Sequence, residues 1–458
     1  MLTIFANPQR SFYDHLLAGA LAQHSLLAKT DAILNSVPDL LEPFIAAYTL
    51  DREQRNVDED FGRGTISLES VVRLLIVKRL HKECAWREVE EHAKTDYAWK
   101  AFAKLSITDT VPDHTTLIKW EQFFGEQALR SLHEAVIAYA AGKKIVKGKK
   151  FRADTTVVPA NVHYPTDASL LGDAMRVLTR TVQKIKKAFM LKTVFRSRMR
   201  IVKQKLIRMG YALKTRATDA KAQAKRTTAE LLLLATSVLA NARKINAEWA
   251  RNGRTATGRL AKQFARHLAI SQKLIQQTGR VLAGKKIKDR IVSFFQPSMR
   301  PIAKGKLFPP CEFGRKVIVD ETDGNLVSDW TILNGNPNDA TLLEDRLDRH
   351  KDRFGRDPTL VATDRGFWSQ ENEETLKGRI AKLSIPQRGY KTKTRLRTER
   401  GAWFRDAQRW RAGGEAKQSW LKRTFGWGHS RAKTEAGYAR GIGWGVLGCN
   451  LKVLALRS

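Results

Sequence analysis

Acidic residues are what this sequence is short of: 46 Asp and Glu stand against 82 Lys and Arg, a formal net charge of +36 at pH 7 over 458 residues. So large a surplus of one sign is far beyond what solubility asks for and points to a polyanionic partner. Cysteine is nearly missing, and Cys84, Cys311 and Cys449 are scattered without CxxC spacing, so neither a disulfide framework nor a structural zinc site is expected. Long apolar runs are missing as well. No span could cross a bilayer, and the opening "MLTIFANPQRSFYDHLL" lacks the basic-then-apolar order of a secretory leader; a soluble, cytoplasmic chain with no membrane partner is the expectation. The bases run through nearly the whole chain instead of forming one amphipathic helix, which favours nucleic acid over a membrane surface.

What is present is enough apolar residue, 42%, to build real cores in two or three domains. In "SLESVVRLLIVKRL", Leu68, Val71, Val72, Leu75 and Ile76 recur at helical steps. Ala85 to His92 and "YAWKAFAKL" read as further short helices, and Pro112 with Asp113 caps a long amphipathic helix behind them. Residues 1–145 therefore read as an N-terminal helical domain, of the helix-turn-helix kind that binds DNA or an ordinary bundle with a solvated basic face. Phe151 to Val158 reads as a strand, within a segment 146–175. Residues 176–300 read as a helical insertion; from Arg176 to Lys288 its acids are Asp219, Glu230 and Glu248, which favours contact with phosphates over a merely solvated arm.

Residues 301–458 change period again. "RKVIVDETDGNLVSDWTIL" reads as a hairpin turning at Asp323-Gly324, "DATLLEDRLDRHKDRF" as a helix, "PTLVATD" as a buried strand, then a helix, the short strand "KLSIPQR" and a basic helical tail. The expected fold is mixed α/β and helix-rich. Its element order is that of a ribonuclease-H-like sheet with flanking helices and a long helical excursion after the first core strand.

Cleaving a phosphodiester at neutral pH needs an activated nucleophile and a stabilised leaving oxygen, and two Mg²⁺ ions held by carboxylates supply both. In this topology Asp154 in the first strand and Asp364 at the end of the fourth fall on neighbouring central strands. Each alone could be a salt-bridged aspartate, given Arg152 and Arg365 close by; two at matching positions in so basic a chain favour a metal site. Asp320, Glu321 and Asp323 are explained by turn chemistry, and Glu371, Glu373 and Glu374 by the helix dipole. Asp406 is a weaker candidate. His163 reads as structural more readily than as a proton carrier or DNA contact, and Trp410, Trp420, Trp427 and Trp444 as packing.

The segments "FRADTTVV", "VATDRGFWSQEN" and "RWRAGGEAKQSWLKR…GWGVLGCNL" resemble the catalytic segments of DDE transposases from bacterial insertion sequences, near the fourth and fifth families of those elements. "GRGTISLESVVRLLIVKRL…PDHTTL" is similar to their N-terminal helical domain, and "NVHYPTDASLLGDAMRVLTR" to the segment after their first Asp. Three residues separate Arg411 from Glu415 and six separate Glu415 from Lys422, the spacing of that family's Tyr-Arg-Glu-Lys signature, with Gln408 at the tyrosine position. The resemblance implies that Asp154, Asp364 and Glu415 are catalytic and hold two Mg²⁺, with Mn²⁺ as a substitute. It implies further that Arg411 and Lys422 meet DNA phosphates. Arg365 is read as a DNA contact beside them, and Trp368 as a stacking surface for an unpaired base. The implied substrates are the element's terminal inverted repeats and a target duplex, gripped by a homodimer on paired ends in the bacterial nucleoid. Two alternatives stay open: a nuclease of the same fold that stops at hydrolysis, and a DNA-binding protein whose site has decayed.

Overall fold

A computed structural model describes residues 2–6, 11–56, 66–81, 85–162, 164–214, 219–251, 258–303 and 311–457; Cys84 and His163 lie outside the described residues. The chain forms two compact units, Met1–Pro159 with Arg315–Ser458, and Ala160–Gly314. The architecture is mixed α/β and helix-rich.

The first unit opens with helices α1 (Asp14–Gln23), α2 (Ser25–Ser36), α3 (Glu42–Arg55), α4 (Leu68–Leu80), α5 (Trp86–Thr95), α6 (Tyr97–Phe102), α7 (His114–Phe124) and α8 (Gln127–Gly142). Asp113 caps its helix as expected, accepting from Thr115 and Thr116, and the structure adds two further caps, Ser67 accepting from the Ser70 amide and Asp96 from Ala98. The long helix expected after Asp113 is instead two, because Gly125 takes φ 72°, ψ −161°, a backbone conformation that side chains disfavour and that no helix can continue through. Helix α4 is buried along its length, Arg73 included. The Arg73 guanidinium reaches Asp31 at 2.7 Å, Asn35 at 2.6 Å, Glu69 at 3.0 Å and the Phe102 carbonyl at 3.3 Å, so the buried charge is both paired and hydrogen-bonded.

The chain then runs as strand β1 (Lys150–Pro159) into the second unit, whose helices are α9 (Asp167–Phe189), α10 (Met199–Lys214), α11 (Ala220–Arg251) and α12 (Arg259–Leu282). Their shared core includes Leu171, Val182, Val202, Leu239, Ile245 and Phe264. Strand β2 (Arg300–Ala303) pairs antiparallel with the opening of β3 (Cys311–Thr322).

From Arg315 onward the first unit resumes. Strand β3 turns through Asp323–Asn325, with Gly324 at φ 82°, into β4 (Val327–Ile332), followed by α13 (Leu343–Phe354), β5 (Leu360–Ala362), α14 (Gln370–Lys377), β6 (Lys382–Ser384), α15 (Lys393–Arg400), α16 (Ala402–Thr424) and α17 (Glu435–Ala455). The sheet order is β3-β1-β5-β6, with β4 pairing β3. Helix α17 contributes Trp444, Leu447, Leu451 and Leu454 to the same core as the N-terminal helices. Its Asn450 accepts from the Val327 amide at 2.9 Å and donates to the Val327 carbonyl at 2.8 Å, fixing the start of β4. None of the described helices is long and apolar enough to cross a membrane. Cys311 is half-buried and Cys449 buried, both free thiols.

Turn chemistry accounts for Asp323, which accepts from the Lys147 and Lys149 amides at 3.0 and 3.3 Å, but not for its neighbours. Asp320 and Glu321 are buried strand residues. Asp320 faces Asp329 across the hairpin, a like-charge rung that would repel were Arg346 of α13 not placed over it, 2.6 Å from Asp320 and 2.8 Å from Asp329. Burial pushes the Asp320 carboxyl up to about 6 even so, with Arg346 opposing. Replacing Arg346 with Leu strips buried Asp320 of its ion-pair partner and leaves Asp329 only the longer contacts to Arg130 and Arg349, and should cost about 3–5 kcal/mol at pH 7 by urea denaturation. Because the folded-state pKa of Asp320 is raised, its charge costs stability as pH climbs through about 6, so the deficit should shrink at pH 5, where Asp320 takes up a proton.

Candidate active site

Strands β1 and β5 run parallel with Lys150 opposite Leu360 and Phe151 opposite Val361; the same register carried onward sets Asp154 level with Asp364. Asp364 stands just past the end of β5 and caps the turn 365–367, accepting from the Gly366 amide at 2.8 Å. The carboxyl of Asp154 is pushed up to about 7, first by burial and then by the charge of Asp364, with Asp339 adding to it; the Thr155 amide and Arg411 pull the other way. The neighbouring arginines do not neutralise these acids. Arg152 turns to Glu321, and Arg365 is exposed.

Glu415 comes from α16, and the sheet seats that helix by several hydrogen bonds. The Gln408 amide donates to the Thr363 carbonyl at 3.2 Å and the Ser384 carbonyl at 2.8 Å, tying α16 to the ends of β5 and β6. Lys417 donates to the Asn325 carbonyl at 3.0 Å, and Arg152 donates to the Trp410 carbonyl while paired with Glu321. Gly413 and Gly414 lie in mid-helix against that buried pair, not at a helix start. A Cβ on Gly413 would sit 2.9 Å from Arg152 Nη1, and one on Gly414 3.4 Å from both Arg152 Nε and Glu321 Oε1.

The Glu415 side chain is 66% exposed and accepts from Arg411 at 3.1 Å. The structure thus brings Asp154 and Asp364 together, and Glu415 on α16 is paired with Arg411, whose charge also acts on Asp154. Among the described residues the acids do not close into a ready-made three-ligand cluster. Lys422 is half-buried at the end of the helix. Trp368 is half-buried, packs on the core that contains Phe367, and donates its indole N–H to Glu373 at 3.0 Å. Asp406 is exposed and tied to Arg409 at 3.1 Å. Trp427 and Trp444 are buried, whereas the half-buried Trp410 lies under the cations of Lys150 and Arg152, 5.7 and 4.8 Å from its ring centre.

Residues 313–447, which include Asp364 and Glu415, match the family model described as Transposase DDE domain, and residues 17–122 match the model described as Transposase domain (DUF772). The chain carries the DDE domain of a transposase. No curated protein and no solved structure matches it significantly. Transposases of this family use divalent metal ions.

The residues of this transposase fit such an ion. The groups gathered here are carboxylates, the hard ligands that Mg²⁺ and Mn²⁺ take, and burial together with the charge of Asp364 pushes the Asp154 carboxyl up to about 7, a cost that a bound cation would relieve. A further acid, Asp339, belongs to the group and was not singled out by its sequence. It meets the Thr155 hydroxyl at 3.3 Å and Lys316 at 2.7 Å, and a Cβ on Gly366 would lie 2.7 Å from Asp364 Oδ1 and 3.2 Å from Asp339 Oδ2. Within "NGNPNDATLL" it reads as an ordinary acid of a helix's first turn. Only the side-chain geometry shows that it shares space with Asp364.

A proton on Asp154 competes with a divalent cation. Since the folded carboxyl titrates at about 7, affinity for Mn²⁺ should weaken up to about tenfold per unit as pH falls below 7, and level off above it. Calorimetric titration of the transposase with Mn²⁺ between pH 6 and 8.5 measures this; a flat profile would exclude Asp154 as a ligand.

Proposed function

We propose that this transposase cleaves DNA at the ends of its insertion sequence and joins the freed 3′-hydroxyls to target DNA, using two Mg²⁺ held by Asp154, Asp364 and Glu415. The observation that carries the reading is Asp154 on β1 beside Asp364, just past the end of the parallel strand β5, with the glutamate-bearing helix tied to the ends of β5 and β6 through Gln408. The sheet order, with the hairpin beside β1 and then β5 and β6, supports a ribonuclease-H-like core.

Bound there, the ions would make a water or a 3′-hydroxyl more nucleophilic and neutralise charge growing on the leaving oxygen. Asp154, as its carboxylate, and Asp364 would hold the ions, and Glu415 would join them by leaving its bond to Arg411, whose guanidinium would then be available to a phosphate. Lys422 on the same helix, and Arg365 and Trp368 just past Asp364, contact the flanking DNA. Processing two ends needs two sites, so the working unit is a homodimer on paired ends.

The test is an assay with Mg²⁺ on duplexes carrying the element's terminal inverted repeats. Joined products are expected. Ends cut but never joined would reduce the protein to a nuclease, and binding without cutting would mark a decayed site. Asp154→Asn, Asp364→Asn and Glu415→Gln should each slow cleavage by about 10³-fold or more, while Asp406→Asn leaves it unchanged. A Glu415→Gln enzyme as fast as the wild type would remove Glu415 from the triad.

A further inference from the structure

Helix α12 carries a base at every seventh position, Arg259, Arg266, Lys273 and Arg280, and all four are exposed. Seven residues are nearly two turns, so the four fall in one row that drifts only about 20° per step, with steps of about 10.5 Å and a total length of about 31 Å. That is close to one turn of B-form DNA, about 34 Å. From this row we infer that α12 is a rail for duplex DNA, a role that rests on the transposase reading and gives the helical unit a task within it.

The row is not ordinary solvating charge. The helix has no acidic residue; its opposite and flanking faces pack into the core through Phe264 and Leu274, while Ile270 and Gln277 are buried between the bases of the row. Four acids of this unit are engaged elsewhere: Asp167 with Arg290, Asp173 with Arg176, Glu230 with Lys205, and Glu248 with the Lys192 and Thr193 amides. Helix α11 shows the contrast. Its exposed middle is neutral, with Leu233, Thr236, Ser237 and Ala240, and its bases gather at the two ends.

A second row adjoins the first. Arg180 and Lys184 of α9 are exposed on either side of Thr181, whose hydroxyl meets His267 at 3.0 Å, next in sequence to Arg266. The row on α12 offers no exposed aromatic ring, the platform that single strands need for base stacking, since Phe264 is buried. Regularly spaced point charges instead suit the phosphates of a duplex, read without regard to sequence.

The experiment measures binding of the full-length protein to a 30-base-pair duplex of arbitrary sequence at increasing NaCl. Changing all four bases of the row to Gln should reduce the slope of log affinity against log salt by about 3–4, since each lost phosphate contact removes about 0.9. A control with Lys221→Gln, Lys225→Gln, Arg243→Gln and Arg251→Gln on α11 should change it by less than about 1. A charge-keeping variant with Arg259→Lys, Arg266→Lys, Lys273→Arg and Arg280→Lys should hold the wild-type slope, which separates lost contacts from a damaged fold. An unchanged slope in the Gln variant, or equal losses in both Gln variants, overturns the rail. If the wild type cuts its terminal repeats while the rail variant keeps its slope, the rail alone is wrong; if the wild type binds no duplex, the transposase reading falls with it.

Discussion

The buried pair Arg152–Glu321 is the contact on which the site depends. Arg152 stands on β1 two residues before Asp154, Glu321 on β3, and the helix that carries Glu415 lies directly over them. Two charges removed from water are tolerable only when each is hydrogen-bonded as well as paired, and Arg152 meets this by also donating to the Trp410 carbonyl and to Asn325. The consequence is geometric. A guanidinium that must reach a helix backbone carbonyl fixes the distance between helix and sheet, and side chains at 413 and 414 would force the two apart. Glycine, usually a weak choice in mid-helix, is what lets α16 come down on the strand.

Scarcity of acids gives the same logic at the scale of the chain. Asp320 and Asp329 hold Arg346, Glu321 holds Arg152, Asp31 and Glu69 hold Arg73, and Glu373 and Glu399 hold Arg395, so much of the acid complement is committed to buried or half-buried structural pairs. The surplus bases are left to the surface. A basic exterior and an interior in which acids match bases are therefore one arrangement, and an acid that no base neutralises, such as Asp154, stands out against it.

How far the sequence discloses this depends on the range of the interaction. Asp154 and Asp364 are legible because strand pattern is local and a strand order then brings them level; the hairpin at Gly324, the cap Asp113, and the order of strands and helices after Arg315 are legible for the same reason. The partners of Asp320 and Glu321 lie 26 and 169 residues away, so both acids look like turn residues until the fold brings Arg346 and Arg152 to them. Nothing near Gly413 and Gly414 in sequence says that a strand arginine lies beneath them. Gln408 shows the reverse case. It departs from the family's tyrosine, yet its amide, held against two strand-end carbonyls, does the anchoring that a residue at that position must do.

The like charges of the site bear on Glu415, which is carried on a different element. Asp154, Asp364 and Asp339 already repel one another, enough with burial to keep a proton on Asp154, and Lys316 takes up part of the charge of Asp339. A glutamate built rigidly into the same space would add a further like charge and raise the cost of folding without a cation. Carried on α16 and paired with Arg411 in solvent, Glu415 adds no buried like charge to that group, while its helix is pinned at Gln408, Arg152 and Lys417. A fold rich in bases and poor in acids thus gathers three aspartates and keeps the glutamate of α16 in an ion pair with Arg411.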